Sequence, residues 1–133
     1  MKVIHTMPTI EKDGWTLLSA EERSIAAPDM FSIPTPNMRG SLQPGDAAKL
    51  LFDIETRING KVVDRGSERM WVLVRSKSAD GYVGVLDNDP GVADNLNLRA
   101  GDVIVFGSKH VCDISTPPRD YIIEKYGSAF FEN

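Results

Sequence analysis

The chain has 133 residues, 41% hydrophobic and 26% charged, a mix that excludes a disordered or low-complexity polypeptide and suffices for one domain with a single core unaided by metals or disulfides. Fifteen Lys and Arg against 19 Asp and Glu leave a net charge of −4, the wrong sign for a protein that holds nucleic acid by neutralising phosphates. Cys112 is the only cysteine and residues 1–8 carry no apolar run of leader or membrane-span length, so the expectation is a reducing, cytoplasmic setting with neither nucleic acid nor membrane as partner.

Ser19-Ala20-Glu21-Glu22 opens the first helix: the Ser19 hydroxyl can accept from an N–H of the first turn, Glu22 can reach back to the cap, and Pro28 ends the run. Residues 28–44 hold Pro28, Pro34, Pro36 and Pro44, too many missing donors for a regular ladder or helix. An extended, ordered connector is predicted there, with Phe31 and Ile33 alternating against polar neighbours as an edge strand would. From Leu50 the period is two, with Leu50, Phe52, Ile54 and Ile58 on one side and Asp53, Glu55 and Arg57 on the other, which describes a half-buried strand. Asn59-Gly60 suits a type I′ hairpin turn, after which Lys61-Val62-Val63-Asp64 returns antiparallel.

Arg69-Met70-Trp71-Val72-Leu73-Val74-Arg75 is apolar on both parities at its centre, the mark of a strand covered on both faces. Residues 77–81 turn the chain, and Tyr82-Val83-Gly84-Val85-Leu86 pairs back, with Gly84 marking a bulge or a close backbone approach. Asp89 before Pro90 predicts a short helix through Val92, Ala93 and Leu96. Leu98-Arg99-Ala100-Gly101-Asp102 repeats the spacing of Leu42-Gln43-Pro44-Gly45-Asp46, and each reads as a turn feeding a strand. Residues 111–114 offer one more short strand and residues 118–126 a closing helix with Gly127 beyond it, leaving Phe130 and Phe131 as a tail to dock on the body. The sum is an α+β fold: a bent antiparallel sheet or small β-barrel of five to six strands, with an N-terminal helix, a short helix after Pro90 and a C-terminal helix. One domain spans 1–133, divided into a helix and proline-rich connector (1–44), an antiparallel sheet core (45–114) and a C-terminal helix and tail (115–133).

Met70-Trp71-Val72, then Gly84-x-Leu86-x-Asn88-x-Pro90, then Leu98-x-x-Gly101-Asp102 resembles the core pattern of the YegJ-like family of small bacterial proteins, a domain-of-unknown-function family. The resemblance covers roughly residues 65–114 and implies a bacterial protein. It implies no catalytic residue.

Five constellations carry candidate chemistry. Asp87-Asn88-Asp89-Pro90-Gly91 gathers two carboxylates and an amide at a strand end, where they could meet a cation or a basic group of a partner. The competing explanation is local, since Asp and Asn at strand ends bond nearby backbone donors, and an EF-hand count from Asp87 fails because the twelfth position is Leu98. Capping accounts for Asp89 but leaves Asp87 without an evident structural duty, so Asp87→Ala is expected to cost about 0.5 kcal/mol or less. His110 and Cys112, two apart, would share one strand face as a base and nucleophile or as two zinc ligands, yet a zinc set would need His5 and a distant carboxylate. A lone cysteine on a late strand is more usually a small buried apolar residue.

Asp46 and Asp102 would form an acid-base pair only if their two turns met, and turn chemistry explains each alone. Trp71 and Trp15 are the large aromatics able to anchor a partner, although core burial is the more usual place for Trp71, flanked as it is by Met70 and Val72. Arg65, Arg69, Arg75 and Lys77 interleave with Asp64, Glu68 and Asp80 as a solvated face of mixed sign. Signatures of phosphate loops, hydrolase elbows and zinc proteases are missing from the chain. The expectation is a non-catalytic binding module for an unknown protein or small ligand, without cofactor or metal, with Asp87, Asn88, Asp89, Trp71 and Arg69 as candidate binding residues. The alternatives are an immunity-type, toxin-neutralising protein and a small enzyme using Asp87 and Asp89 or His110 and Cys112.

Overall fold

Capping and turn chemistry place the element boundaries. In the computed structural model, which describes residues 6–91 and 98–132, the helices are α1 (Ile10–Asp13), α2 (Ala20–Ala26), α3 (Pro36–Arg39) and α4 (Arg119–Tyr126). The strands are β1 (Trp15–Leu17), β2 (Ala47–Ile58), β3 (Lys61–Ser78), β4 (Gly81–Leu86), β5 (Val103–Phe106) and β6 (Val111–Ser115), with single 3-10 turns at Ser108–His110 and Ser128–Phe131. Helix α2 starts at its predicted cap, Ser19 Oγ accepting from Glu22 N at 3.1 Å, and stops before Pro28. The short helix expected after Pro90 falls on residues 92–97, outside the described residues. Among the described residues no helix is long and apolar enough to cross a membrane.

The six strands form one antiparallel sheet curled into a half-barrel, in the order β1-β2-β3-β4-β5, with β6 also on β2. Strand β2 is the spine: β3 runs along one edge, while β6 takes residues 47–50 and β1 residues 52–54 of the other. Asn59 and Gly60 close the β2–β3 hairpin at φ of 52° and 79°, the positive pair that a type I′ turn needs to follow strand twist. The two strands expected at 61–64 and 69–75 are one continuous strand, because β2 is long enough to pair with both and a register shift between Thr56 and Arg57 keeps the ladder going. Past that shift the hairpin projects beyond the core. Ile58, expected to lie inward with Leu50, Phe52 and Ile54, is therefore 50% exposed.

Alternation sorts the side chains onto two faces. Inside the half-barrel Leu50, Phe52, Ile54, Met70, Val72 and Val74 pack against residues of β4 and β5 such as Tyr82, Leu86, Ile104 and Phe106. On the outer face α4 and the turn after it bring Ile122 and Phe130 onto Ala47, Leu73 and Val85, while Ala20, Phe31 and Ile33 cover Leu51 and Cys112. The centre of β3 is thus covered on both sides, as its doubly apolar pattern implied. Phe31 and Ile33 form that cover as irregular chain rather than as the expected edge strand. The connector is pinned by Arg39, 3% exposed, whose guanidinium donates to the carbonyls of Pro34 and Ser108 and pairs with Glu21.

The two Leu-x-x-Gly-Asp turns are built alike. Leu42 and Leu98 both plug the inner core, and Gly45 and Gly101 take φ of 95° and 94°. Each glycine N–H donates to a strand carbonyl, that of Val74 or Leu86, and the N–H of the same strand residue returns a bond to the carbonyl of Asp46 or Asp102. Each motif is a bracket that fastens a turn to the neighbouring strand.

At Gly84 the sheet leaves no room for a side chain: a Cβ there would lie 2.4 Å from the Leu73 carbonyl oxygen and 2.7 Å from Val72 Cγ1, beside the register shift between Val74 and Ser76. Gly84→Ala is expected to cost about 2 kcal/mol, the scale of overpacking a strand that must shift. Urea denaturation measures it, and a cost below about 0.5 kcal/mol, an ordinary surface value, would show the approach to be slack.

Candidate functional site

The chain leaves β4 through Asp87-Asn88-Asp89, the loop expected to carry the site. Asp87 N donates to the Trp71 carbonyl at 2.9 Å and Asn88 Oδ1 accepts from Trp71 N, so the Asn88 side chain carries the β3–β4 ladder one rung further. The Asp87 carboxylate, 12% exposed, accepts from the Tyr121 hydroxyl and Lys125 Nζ at 2.8 Å each and from the Tyr126 hydroxyl. Burial pushes this carboxyl up, but hydrogen bonds from Lys125, Tyr126 and Tyr121 outweigh it and hold the group below the usual carboxylate range. The expectation that Asp87 lacks a structural duty is overturned: it is the post to which α4 is tied, and Asn88 is scaffolding as well. Asp89 is exposed, and the helix it was expected to cap lies outside the described residues.

His110 and Cys112 do not form a pair of working groups. His110 sits in a 3-10 turn rather than on the strand, 5% exposed, and its Nδ1 accepts from Gly107 N at 2.9 Å. Cys112 faces Ala20 and Leu51, its Sγ 3.9 Å from the His110 carbonyl oxygen. Burial pushes its thiol up, against the pull of Arg69, Lys49 and Arg23, which keeps it out of the reactive thiolate form. Cys112→Ala is expected to cost about 1 kcal/mol, a usual value for a small core change. A native-state thiol reagent at neutral pH should label it slowly, and rapid labelling would contradict the assignment.

Asp46 and Asp102 each turn back on their own bracket, accepting from the N–H three residues earlier, Gln43 and Arg99, at 2.8 Å. Turn chemistry thus accounts for each carboxylate by itself. Trp15 is core, its ring 5.6 Å from that of Phe52. Among the described residues no three His, Cys, Asp or Glu gather as a metal set.

Trp71 and Arg69 lie elsewhere, on the outer face of β3, between the two covers. Trp71 is half-buried, with Lys49 Nζ 4.9 Å from its ring centroid, and the Arg69 guanidinium lies 5.1 Å from the Phe31 ring. The other cations singled out in the sequence are engaged: Arg65 with Asp53, Lys77 with the Gly40 carbonyl, and Arg75 over the Phe130 ring. Two hollows open on this face. One, of about 430 Å³, has Lys49, Arg69 and Cys112 beside the wall from Met30 to Pro34. The other, of about 370 Å³, lies between Trp71, Leu73, Ser115, Pro117, Pro118 and Tyr121 with Asp87 at its edge.

Lys49 was not singled out from the sequence, although it is the one cation among the apolar residues 47–52. That signal gains meaning only once β2 and β3 are in register. No protein-family model, curated protein or solved structure matches the chain.

Proposed function

We propose that the protein is a bacterial, cytoplasmic, non-catalytic binding module, and that it binds on the outer sheet face to either side of Trp71 rather than at the Asp87 loop. The observation that carries this reading is a pair of hollows on one sheet face, one lined by the half-buried Trp71 and the other by Lys49, whose ammonium lies over the Trp71 ring, and by Arg69. Concavities of some hundreds of Å³ with a few polar groups suit a small ligand or a short partner segment, and Trp and Arg are the residues that anchor interface centres. Catalysis is disfavoured because Asp87 is spent on α4, His110 on its own turn, and Cys112 is kept a thiol by burial. The likeness to the YegJ-like family belongs to the same proposal, and several of its positions, including Gly84, Asn88, Leu98, Gly101 and Asp102, are ones the fold uses.

The test is affinity capture of the tagged protein from its native lysate, with mass spectrometry of both proteins and small molecules. Species recovered by the wild type are expected to be lost with Arg69→Ala and with Ser115→Trp, which fills the second hollow, and kept with Asp89→Ala. Recovery of the same species by all four proteins, or of none by the wild type, overturns the reading.

A further inference from the structure

Two pairs of side chains stand on the same kind of diagonal across β2 and β3, and they differ in charge. Asp53 lies opposite Ser67 and Arg65 opposite Glu55, and the diagonal between Asp53 and Arg65 is closed by an ion pair of 2.7 Å. Further along the same face Lys49 lies opposite Trp71 and Arg69 opposite Leu51, which places Lys49 and Arg69 in the identical relation. Both are cations. Diagonal neighbours are within reach of long side chains, so a position that elsewhere holds a carboxylate against an arginine here holds a second positive charge.

Neither cation is ion-paired among the described residues, in a chain whose net charge is −4. Asp113, opposite Lys49 on β6, turns Oδ1 to Ile114 N at 2.8 Å instead. The hollow is lined by two cations, Lys49 and Arg69, against one carboxylate, that of Asp113. Beside the cations the lining mixes the polar Ser32 and Asp113 with the apolar Met30, Phe31, Ile33 and Met38, of which Met30 is 90% and Met38 54% exposed. Unbranched thioethers on a surface adapt to an unbranched apolar guest at little cost.

Resting on the reading that the outer face is the binding site, we propose that the 430 Å³ hollow takes an amphiphilic anion, its carboxylate or phosphate head between Lys49 and Arg69 and its apolar chain along Met30, Phe31, Ile33 and Met38. The head supplies the acceptor that the Lys49–Arg69 diagonal lacks. Drawing Lys49 toward it lifts the ammonium from the Trp71 ring, which gives binding an optical signature.

The probes are dodecanoate and dodecyl phosphate below their micellar concentrations, dodecanol, and vesicles of anionic phospholipid, read by tryptophan emission and calorimetry. Dodecanoate and dodecyl phosphate are expected to bind saturably, one per chain, with an emission change that Trp71→Phe removes. Lys49→Met and Arg69→Gln should each weaken dodecanoate by about tenfold, the scale of one hydrogen bond to a charged group. Lys61→Met, a cation on the remote hairpin, should leave it unchanged. Dodecanol binding as tightly as dodecanoate overturns the proposal, as does binding to vesicles alone or unaltered affinity in both cation variants with native circular dichroism. If no probe binds while Arg69→Ala still loses its captured species, the ligand class is wrong and the outer-face reading stands. If the captured species are also indifferent to Arg69, both fall.

Discussion

Replacing Asp87 by alanine is expected to lower the unfolding free energy by about 3 kcal/mol and to free α4 before the sheet gives way. A hydrogen bond to a charged group contributes about 1.5–3 kcal/mol, and this carboxylate accepts three. The total is discounted because Tyr121 and Lys125 are exposed and recover water as a partner. Tyr126 is less favourably placed: without Asp87 its hydroxyl keeps only the Leu86 carbonyl at 3.5 Å. What then holds α4 is the apolar contact of Ile122 and Phe130 with Ala47, Leu73 and Val85. Urea denaturation gives the energy, and hydrogen exchange of the α4 amides shows where it acts. Asp87→Asn, which keeps an acceptor and loses the charge, should recover part of the loss. A cost below about 0.5 kcal/mol, as for an exposed loop carboxylate, would mean that the apolar contacts suffice.

The sign of the pH effect follows from the lowered carboxyl. The charged form is favoured by folding, so the contribution is complete above the unfolded-chain value of about 3.9 and is lost as pH falls through the lower, folded value. Wild-type and Asp87→Ala stabilities should therefore converge only at the acid end.

What was legible before the structure was local. Ser19 as a cap, Asn59-Gly60 as a mirror-image turn, the doubly apolar centre of β3 and the matched Leu-x-x-Gly-Asp turns each depend on residues within a few positions of one another. Strand β1 was missed because three residues hold too little periodicity; it exists through pairing with Phe52 to Ile54 and through the Trp15 ring on Phe52. Helix α3 was missed although Thr35-Pro36 carries the same cap and proline signature as Asp89-Pro90, because the density of prolines around it argued for extended chain.

The site was harder for a single reason. Extended straight from the Ile58–Lys61 rung, the hairpin would set Lys49 opposite Met70 and turn Trp71 and Arg69 to the other face. The register shift between Thr56 and Arg57 moves every later rung by one residue, and a one-residue slip exchanges inside for outside. No residue type announces that bulge, so the Lys49–Arg69 diagonal had no signature in the chain. The partners of Asp87, 34 to 39 residues away on α4, are equally non-local.

Acidification from pH 6.5 to about 4 is expected to cost roughly 3 kcal/mol through His110 alone. Burial chiefly, with Lys109 adding to it and Glu21 opposing, lowers this imidazole to about 4. Its environment explains the direction: the ring is 5% exposed and Nδ1 accepts from Gly107 N, a bond that a protonated Nδ1, itself a donor, would have to give up. The unfolded chain protonates near 6.5 and the folded one not until about 4, so between these values the unfolded state binds more protons and stability falls with pH. Below about 4 both states carry the proton and the loss stops growing. His110→Asn, which offers an oxygen acceptor to the same N–H and does not titrate, should flatten the curve over this window. NMR titration of the imidazole locates the midpoint directly. A midpoint near 6.5, or an unchanged slope in His110→Asn, would refute the assignment. Because the Asp87 window opens where that of His110 closes, the wild type should lose stability in two acid steps, Asp87→Ala only in the upper and His110→Asn only in the lower.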